Sequence, residues 1–310
     1  MNKFDKMKIV TKIEYIDILN YNLFQSITKF DEVLYYKYQQ KTPYILLIMV
    51  NFQHNEVVLE FTAKILKEHY PELINKETIR ECLQNINNLG FCRLDIDAIL
   101  KDIQIVKCDI SKDIQADINL IKTTIKQNLS NYTKWIVKNF KNGIVLENVV
   151  ITPKYKKRLT IYNKEKELNK VNNINFINSI EDGKTIIDSY KGKVRFELNI
   201  NTKQQIRQLL NIPNNDLQAV LESKSNPILS VIDEAIKFHP LQSRTKSLRD
   251  YERELLLERC DFNLIKVEAT VRSLIKKNYP ISKAMQPYRD LIKLIKATDA
   301  PMFDLRTLVS

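Results

Sequence analysis

The stretch "RLTIYNKEKEL" (residues 158–168) places one tyrosine, Tyr162, directly before a run holding two lysines and two glutamates. A phenol has an unperturbed pKa of about 10 and is a poor nucleophile until a base or a cation stabilises its phenolate. Carboxylates brought close together repel one another, and a hard divalent cation with a preference for oxygen ligands relieves that repulsion. The same ion could polarise a phosphodiester oxygen and take up charge in a transition state. Two other stretches offer carboxylates, "VKCDISKDI" (106–114) and "GKVRFELNINTK" (192–203).

Chemistry of this kind needs elements that bring the three stretches together. Side chains on a strand alternate between faces, so each stretch splits into two sets. In "KVRFELNI", Val194, Phe196, Leu198 and Ile200 form an apolar set, while Arg195 and Glu197 share the other face. In "RLTIYNK", Leu159 and Ile161 point inward, leaving Arg158, Thr160, Tyr162 and Lys164 outward. In "QIVKCDIS", Val106, Cys108 and Ile110 are the apolar set, and Lys107, Asp109 and Ser111 the polar one. If the three strands are neighbours, Asp109, Tyr162, Lys164, Arg195 and Glu197 lie on one surface. Asp109 and Glu197 could equally pair with Lys107 and Arg195 as surface ion pairs.

Around these strands the chain reads as α+β. β-branched and aromatic alternation fills "MKIVTKIEYI", "EVLYYKYQQ", "YILLIMVNF" and "EVVLEFTA" in the first 62 residues. A helix follows in "NKETIRECLQNINNLG", then strands near 92–97 and 103–111 and a helix in "ADINLIKTTIKQNL". "TKWIVKNF", "IVLENVVI" and "KRLTIYNK" form a meander, separated from "KVRFELNI" by a loop-rich helical insertion. From about residue 202 every periodic segment is helical. The expected architecture is an antiparallel sheet with helices on one face over residues 1–212 and a helical C-terminal domain over 213–310.

With 49 Lys plus Arg against 37 Asp plus Glu, a net charge of +12 points to an anionic partner such as nucleic acid or a membrane surface. The four cysteines show no metal or disulfide spacing, and the three histidines, His54, His69 and His239, are isolated. There is no Walker loop and no dinucleotide fingerprint. "MNKFDKMKIV" lacks an apolar signal core and "YILLIMV" is too short to cross a bilayer, so a cytoplasmic location is expected.

Taken together, "LTIYNKEKEL" is similar to the Y-x-K-x-x-E-L element of the rolling-circle replication initiators, both the filamentous-phage replication endonuclease and the trans-acting Rep proteins of small Gram-positive plasmids. "KVRFELNINTK" resembles their R-x-E strand, "VKCDISKDI" their Asp-bearing strand, and the order of elements matches over roughly residues 56–212. The resemblance implies a replication-initiator nuclease-like fold that nicks one origin strand through Tyr162, with Lys164 assisting. It implies Asp109, Glu167 and Glu197 as ligands of Mg²⁺ or Mn²⁺, and Lys107, Arg158 and Arg195 on the DNA. Single-stranded and duplex origin DNA, a host helicase and a host polymerase are the implied partners. Glu167, five residues beyond Tyr162, lies on the opposite face of a continuous strand, so it reaches the site only if the chain leaves the strand soon after Lys164. Asp113, Asp95 and Asp97 are competing carboxylates, Asp113 also as a helix cap. A relaxase or transposase, or a DNA-binding regulator without catalysis, are the rival readings.

Overall fold

The computed structural model describes residues 2–30, 32–128, 134–150, 152, 155–236, 247–275, 279–298 and 305–310. β1 (Lys3–Lys12) and the short β2 (Ile16–Ile18) precede a meander of β3 (Gln25–Lys29), β4 (Glu32–Gln40), β5 (Leu46–Asn51) and β6 (Glu56–Thr62). A 3-10 segment, Ala63–Glu72, leads to α1 (Ile79–Asn87), β7 (Cys92–Leu94), α2 (Ile96–Asp102) and β8 (Gln104–Gln115). Next come α3 (Ile118–Asn128), β9 (Trp135–Phe140), β10 (Gly143–Asn148) and β11 (Arg158–Asn163). The insertion folds as α4 (Lys164–Leu168), α5 (Val171–Asn178) and α6 (Gly183–Ser189) before β12 (Lys193–Ile200).

Among the described residues ten strands form one antiparallel sheet, in the order β3-β4-β5-β6-β1-β8-β12-β11-β10-β9. β11, β12 and β8 are therefore neighbours, as the face argument requires. Most of the apolar sets behave as alternation predicts, with Leu159, Ile161, Val194, Phe196, Leu198, Ile200 and Cys108 fully buried. Val106 is only half-buried, because the register slips between Lys8 and Ile9 and Ile105 takes the core position instead. Helices cover that face, among them α7 (Lys203–Leu210), α8 (Leu217–Glu222) and α9 (Pro227–Ala235), whose Ile206, Leu210, Val220, Val231 and Ile232 are buried.

The polar face is not open along its whole length. The Ala63–Glu72 segment and the end of α6 close over part of it, because Tyr70 and Tyr190 both bond to Arg195 on that face. The expected strand near 92–97 stops at Leu94, and the Asp95 side chain instead caps α2 by accepting from the Ala98 N–H at 3.0 Å.

Two compact units result, and the first runs through Ile236, later than the boundary expected at residue 212. The reason is that α7–α9 belong to the cover of the sheet. α13 (Leu305–Val309) returns to this first unit. The second unit holds α10 (Leu248–Arg259), α11 (Leu264–Leu274) and α12 (Ile281–Thr298) around its own core of Leu257, Cys260, Val267, Val271, Met285, Leu291, Ile292 and Ile295. No helix among the described residues is long and apolar enough to cross a membrane.

Candidate active site

Register fixes which polar side chains can meet. Tyr162 is directly opposite Arg195, and Thr160 is opposite Glu197. On the other side of β12, Arg195 faces Asp113, Glu197 faces Ser111, and Asn199 faces Asp109. Tyr162 and Glu197 are thus diagonal neighbours, a separation that a long aromatic side chain can span. The Tyr162 hydroxyl donates to Glu197 Oε2 at 2.8 Å. Burial, with added repulsion from Asp5 and Asp109, pushes the Glu197 carboxyl up to about 7. Burial, then the Glu197 charge, holds the Tyr162 phenol well above its usual value, so the ring rests neutral with its proton aimed at a carboxylate.

The chain leaves the strand at Asn163, whose side chain accepts from the Lys166 N–H at 2.8 Å and caps α4. This meets the condition set for Glu167. Lys164 therefore sits on the first turn of a helix and not on the strand face, and at that spacing it meets Glu167 one turn on. Its Nζ donates to Glu167 Oε2 at 2.7 Å and lies 5.6 Å from the Tyr162 ring centroid and 5.5 Å from that of Tyr70. Asn173 donates to the other oxygen, Glu167 Oε1, at 2.8 Å. Burial alone would raise the Glu167 carboxyl, but Lys164, Asn173 and Lys64 bring it below the ordinary carboxylate range.

Arg195 requires a correction. Its place on the polar face suggested a DNA contact, yet it is fully buried. Its Nε and Nη2 donate to the two Asp113 oxygens at 2.7 Å each, and Nη1 donates to Asp5 Oδ1 at 2.5 Å. The hydroxyls of Tyr70 and Tyr190 complete its shell at 3.0 and 3.1 Å. Every strong donor direction is used within the protein, so this guanidinium organises the site from beneath. Asp113 is its fork partner and not a helix cap. Lys107 and Arg158 stay accessible: Arg158 is exposed and Lys107 half-buried on the uncovered part of the face.

A divalent ion shared by Asp109, Glu167 and Glu197 needs three free carboxylates at one point. Glu167 is held by Lys164 and Asn173, and Glu197 by Tyr162. Asp109 is a buried group whose Oδ1 has no hydrogen-bond partner, and burial pushes its carboxyl up. Among the described residues no three His, Cys, Asp or Glu side chains are gathered to hold a metal ion. As placed, this trio does not fit one shared ion.

What the fold does gather is a cleft of about 310 Å³ lined by Tyr162, Glu197, Lys164, Glu167, Asp5 and Lys64, with Asn142 and Lys170 at its margin. Asp5, Lys64, Asn142 and Lys170 were not singled out from the sequence. Asp5 had a signal: in "KFDKMKIV" two polar residues separate Phe4 from Met7, and the register slips there, turning Asp5 onto the polar face. Lys64 donates to Asn173 Oδ1 at 2.5 Å, and burial followed by the Lys164 charge lowers its pKa. His69 bonds to Glu81 at the surface, His54 lies in an exposed turn, and His239 is outside the described residues.

The chain matches no known protein-family model, and no curated protein or solved structure is significantly similar to it.

Proposed function

We propose that this chain is a DNA nickase in which Tyr162 attacks a backbone phosphate and Glu197 accepts its proton. The observation that carries the reading is the 2.8 Å hydrogen bond from phenol to carboxylate inside a cleft that also holds Lys164 and Lys64. A base whose pKa lies near neutrality both takes up the proton and remains ionised often enough to do so. The Tyr162 oxygen forms a bond to phosphorus as the bond to the 3′ oxygen breaks, and the leaving oxygen takes a proton from water. The product is a 5′-phosphotyrosine ester and a free 3′ hydroxyl.

Lysine charge supports the reading by offering electrostatic stabilisation to the pentacovalent phosphate, since Lys164 and Lys64 are held in place before a substrate arrives, Lys164 by Glu167 and Lys64 by Asn173. The bond energy kept in the ester allows a later 3′ hydroxyl to rejoin the strand without ATP, which suits rolling-circle initiation of phage or plasmid replication. A replication-initiator nuclease-like fold is part of the same proposal.

The test is incubation with single-stranded DNA followed by a denaturing gel. A covalent adduct that disappears in Tyr162→Phe is expected. Absence of any adduct with strong, salt-sensitive binding would instead make the protein a DNA-binding regulator. Tyr190 is no substitute nucleophile, because it is 1% exposed and bonded to Arg195.

A further inference from the structure

The two halves of the sheet follow the same path. β1 lies at the central seam, and β3 to β6 meander back until β6 pairs with β1. β8 lies across the seam, and β9 to β12 meander back until β12 pairs with β8. Because β1 and β8 run antiparallel, a pseudo-two-fold axis normal to the sheet exchanges the halves. β11 then takes the place of β5, and β12 that of β6.

The halves differ where the cleft is. β5 and β6 are joined by a four-residue turn, Phe52–Asn55, whereas β11 and β12 are joined by residues 164–192. That longer connection supplies Lys164, Glu167 and Lys170. Among the described residues the β5–β6 turn carries no such roof, and the Lys8 side chain on that polar face is 32% exposed, while Lys12 is paired with Asp102.

Charge on that face leans positive around Lys8 and Lys37, while Lys12 is opposite Glu56 and Lys6 opposite Asp109. Lys6 and Lys8 share one carboxylate, Glu60, and Lys8 stands directly opposite Lys107 across the seam. Like charges directly opposite one another in a sheet are destabilising, and an arriving anion removes that cost. Lys37 adds a further cation on β4, two strands from β6 and on the same face. Single strands are held by stacking bases on aromatic rings. The described residues of β1, β4, β5 and β6 put only one ring, Tyr35, on this face, beside the aliphatic Val10, Leu47, Met49 and Val58, so its lysines suit a phosphate backbone and the face offers little for unstacked bases.

We infer that the polar face of β1, β4, β5 and β6 is a non-cutting docking surface for the backbone of double-stranded DNA, holding duplex next to the half that bears the cleft. The purpose of the docking rests on the nickase reading; the docking itself does not require cutting.

The experiment uses the full chain carrying Tyr162→Phe, so that no strand is cut, and measures binding of a random-sequence duplex and of the corresponding single strand against salt concentration. Lys8→Ala with Lys37→Ala is expected to weaken duplex binding and to lower the slope of log K against log salt by about 0.9 for each phosphate that is no longer neutralised. An unchanged duplex slope overturns the inference, as does a weakening confined to the single strand. Circular dichroism verifies that the double variant is folded. Failure of the parent chain to form any covalent adduct speaks only against the nickase, since the salt slope is read without cleavage.

Discussion

Tyr162 reaches Glu197 on the diagonal of the β11–β12 ladder, its hydroxyl donating to Oε2 at 2.8 Å while its direct partner across the ladder is Arg195. The phenol thus meets a carboxylate that can take its proton and lies next to a guanidinium that is already committed. In the proposed reaction the base Glu197 and the architectural Arg195 are alternate residues of one strand.

Glu197→Gln keeps the shape and a hydrogen-bond acceptor but cannot take a proton. Single-turnover cleavage should fall by about 10²–10⁴, the usual span for a positioned base, with single-strand affinity retained. Cleavage by the glutamine variant at the parent rate would remove Glu197 from the proposal.

The pH dependence of stability provides a reading free of any activity. Burial, then Asp5 and Asp109, raises the Glu197 carboxyl from its usual 4.5 to about 7, so the native state binds this proton more tightly than the unfolded chain. The stability it contributes is present below about 4.5 and is lost as the pH rises through about 7. The urea midpoint of the parent should therefore decline across that interval more than that of Glu197→Gln, and equal declines would contradict the assignment. Mn²⁺ bound by this carboxylate would offset the decline, so a midpoint above pH 7 that is insensitive to Mn²⁺ argues against an ion there.

Arg195→Met leaves Asp5 and Asp113 facing each other in a buried site without their shared cation. Removing one partner from such a group costs about 3–5 kcal/mol, against about 0–1 kcal/mol for an exposed pair. Urea unfolding distinguishes the two. A cost in the lower range would return Arg195 to the surface role expected from its strand position.

Gly143 is opposite Tyr162, and a Cβ there would lie 2.5 Å from the Ile161 carbonyl oxygen and from the Phe140 ring. The ring can shift but the strand backbone cannot, so Gly143→Ala should cost about 1–3 kcal/mol in urea unfolding. Because Phe140 lines the cleft, the same variant should also weaken single-strand binding. A variant as stable as the parent would mean that the β9–β10 turn yields more easily than its packing suggests.

Alternation alone puts Asp109, Tyr162, Arg195 and Glu197 on one polar face once their strands are neighbours, because the two-residue period of a strand is a local property of the backbone. A break in the strand was legible only as a condition on Glu167; the structure meets it at Asn163, one residue before Lys164, where the Asn163 side chain caps α4. The boundary after β12 was less legible, since the amphipathic pattern of α7–α9 records that these helices bury one side and not what they bury it against.

The sequence by itself determined most strands of the sheet and the faces of β11 and β12, which are consequences of nearest-neighbour geometry, but neither β3 nor the bulge at Val106 showed in it. Only the tertiary structure decided that Arg195 is sealed from solvent, because its partners Asp5 and Tyr70 come from 190 and 125 residues away in the chain. It also decided which carboxylate the phenol meets. Strand order and register are set by how the whole sheet packs, and a pair formed across two strands leaves no mark in either strand alone.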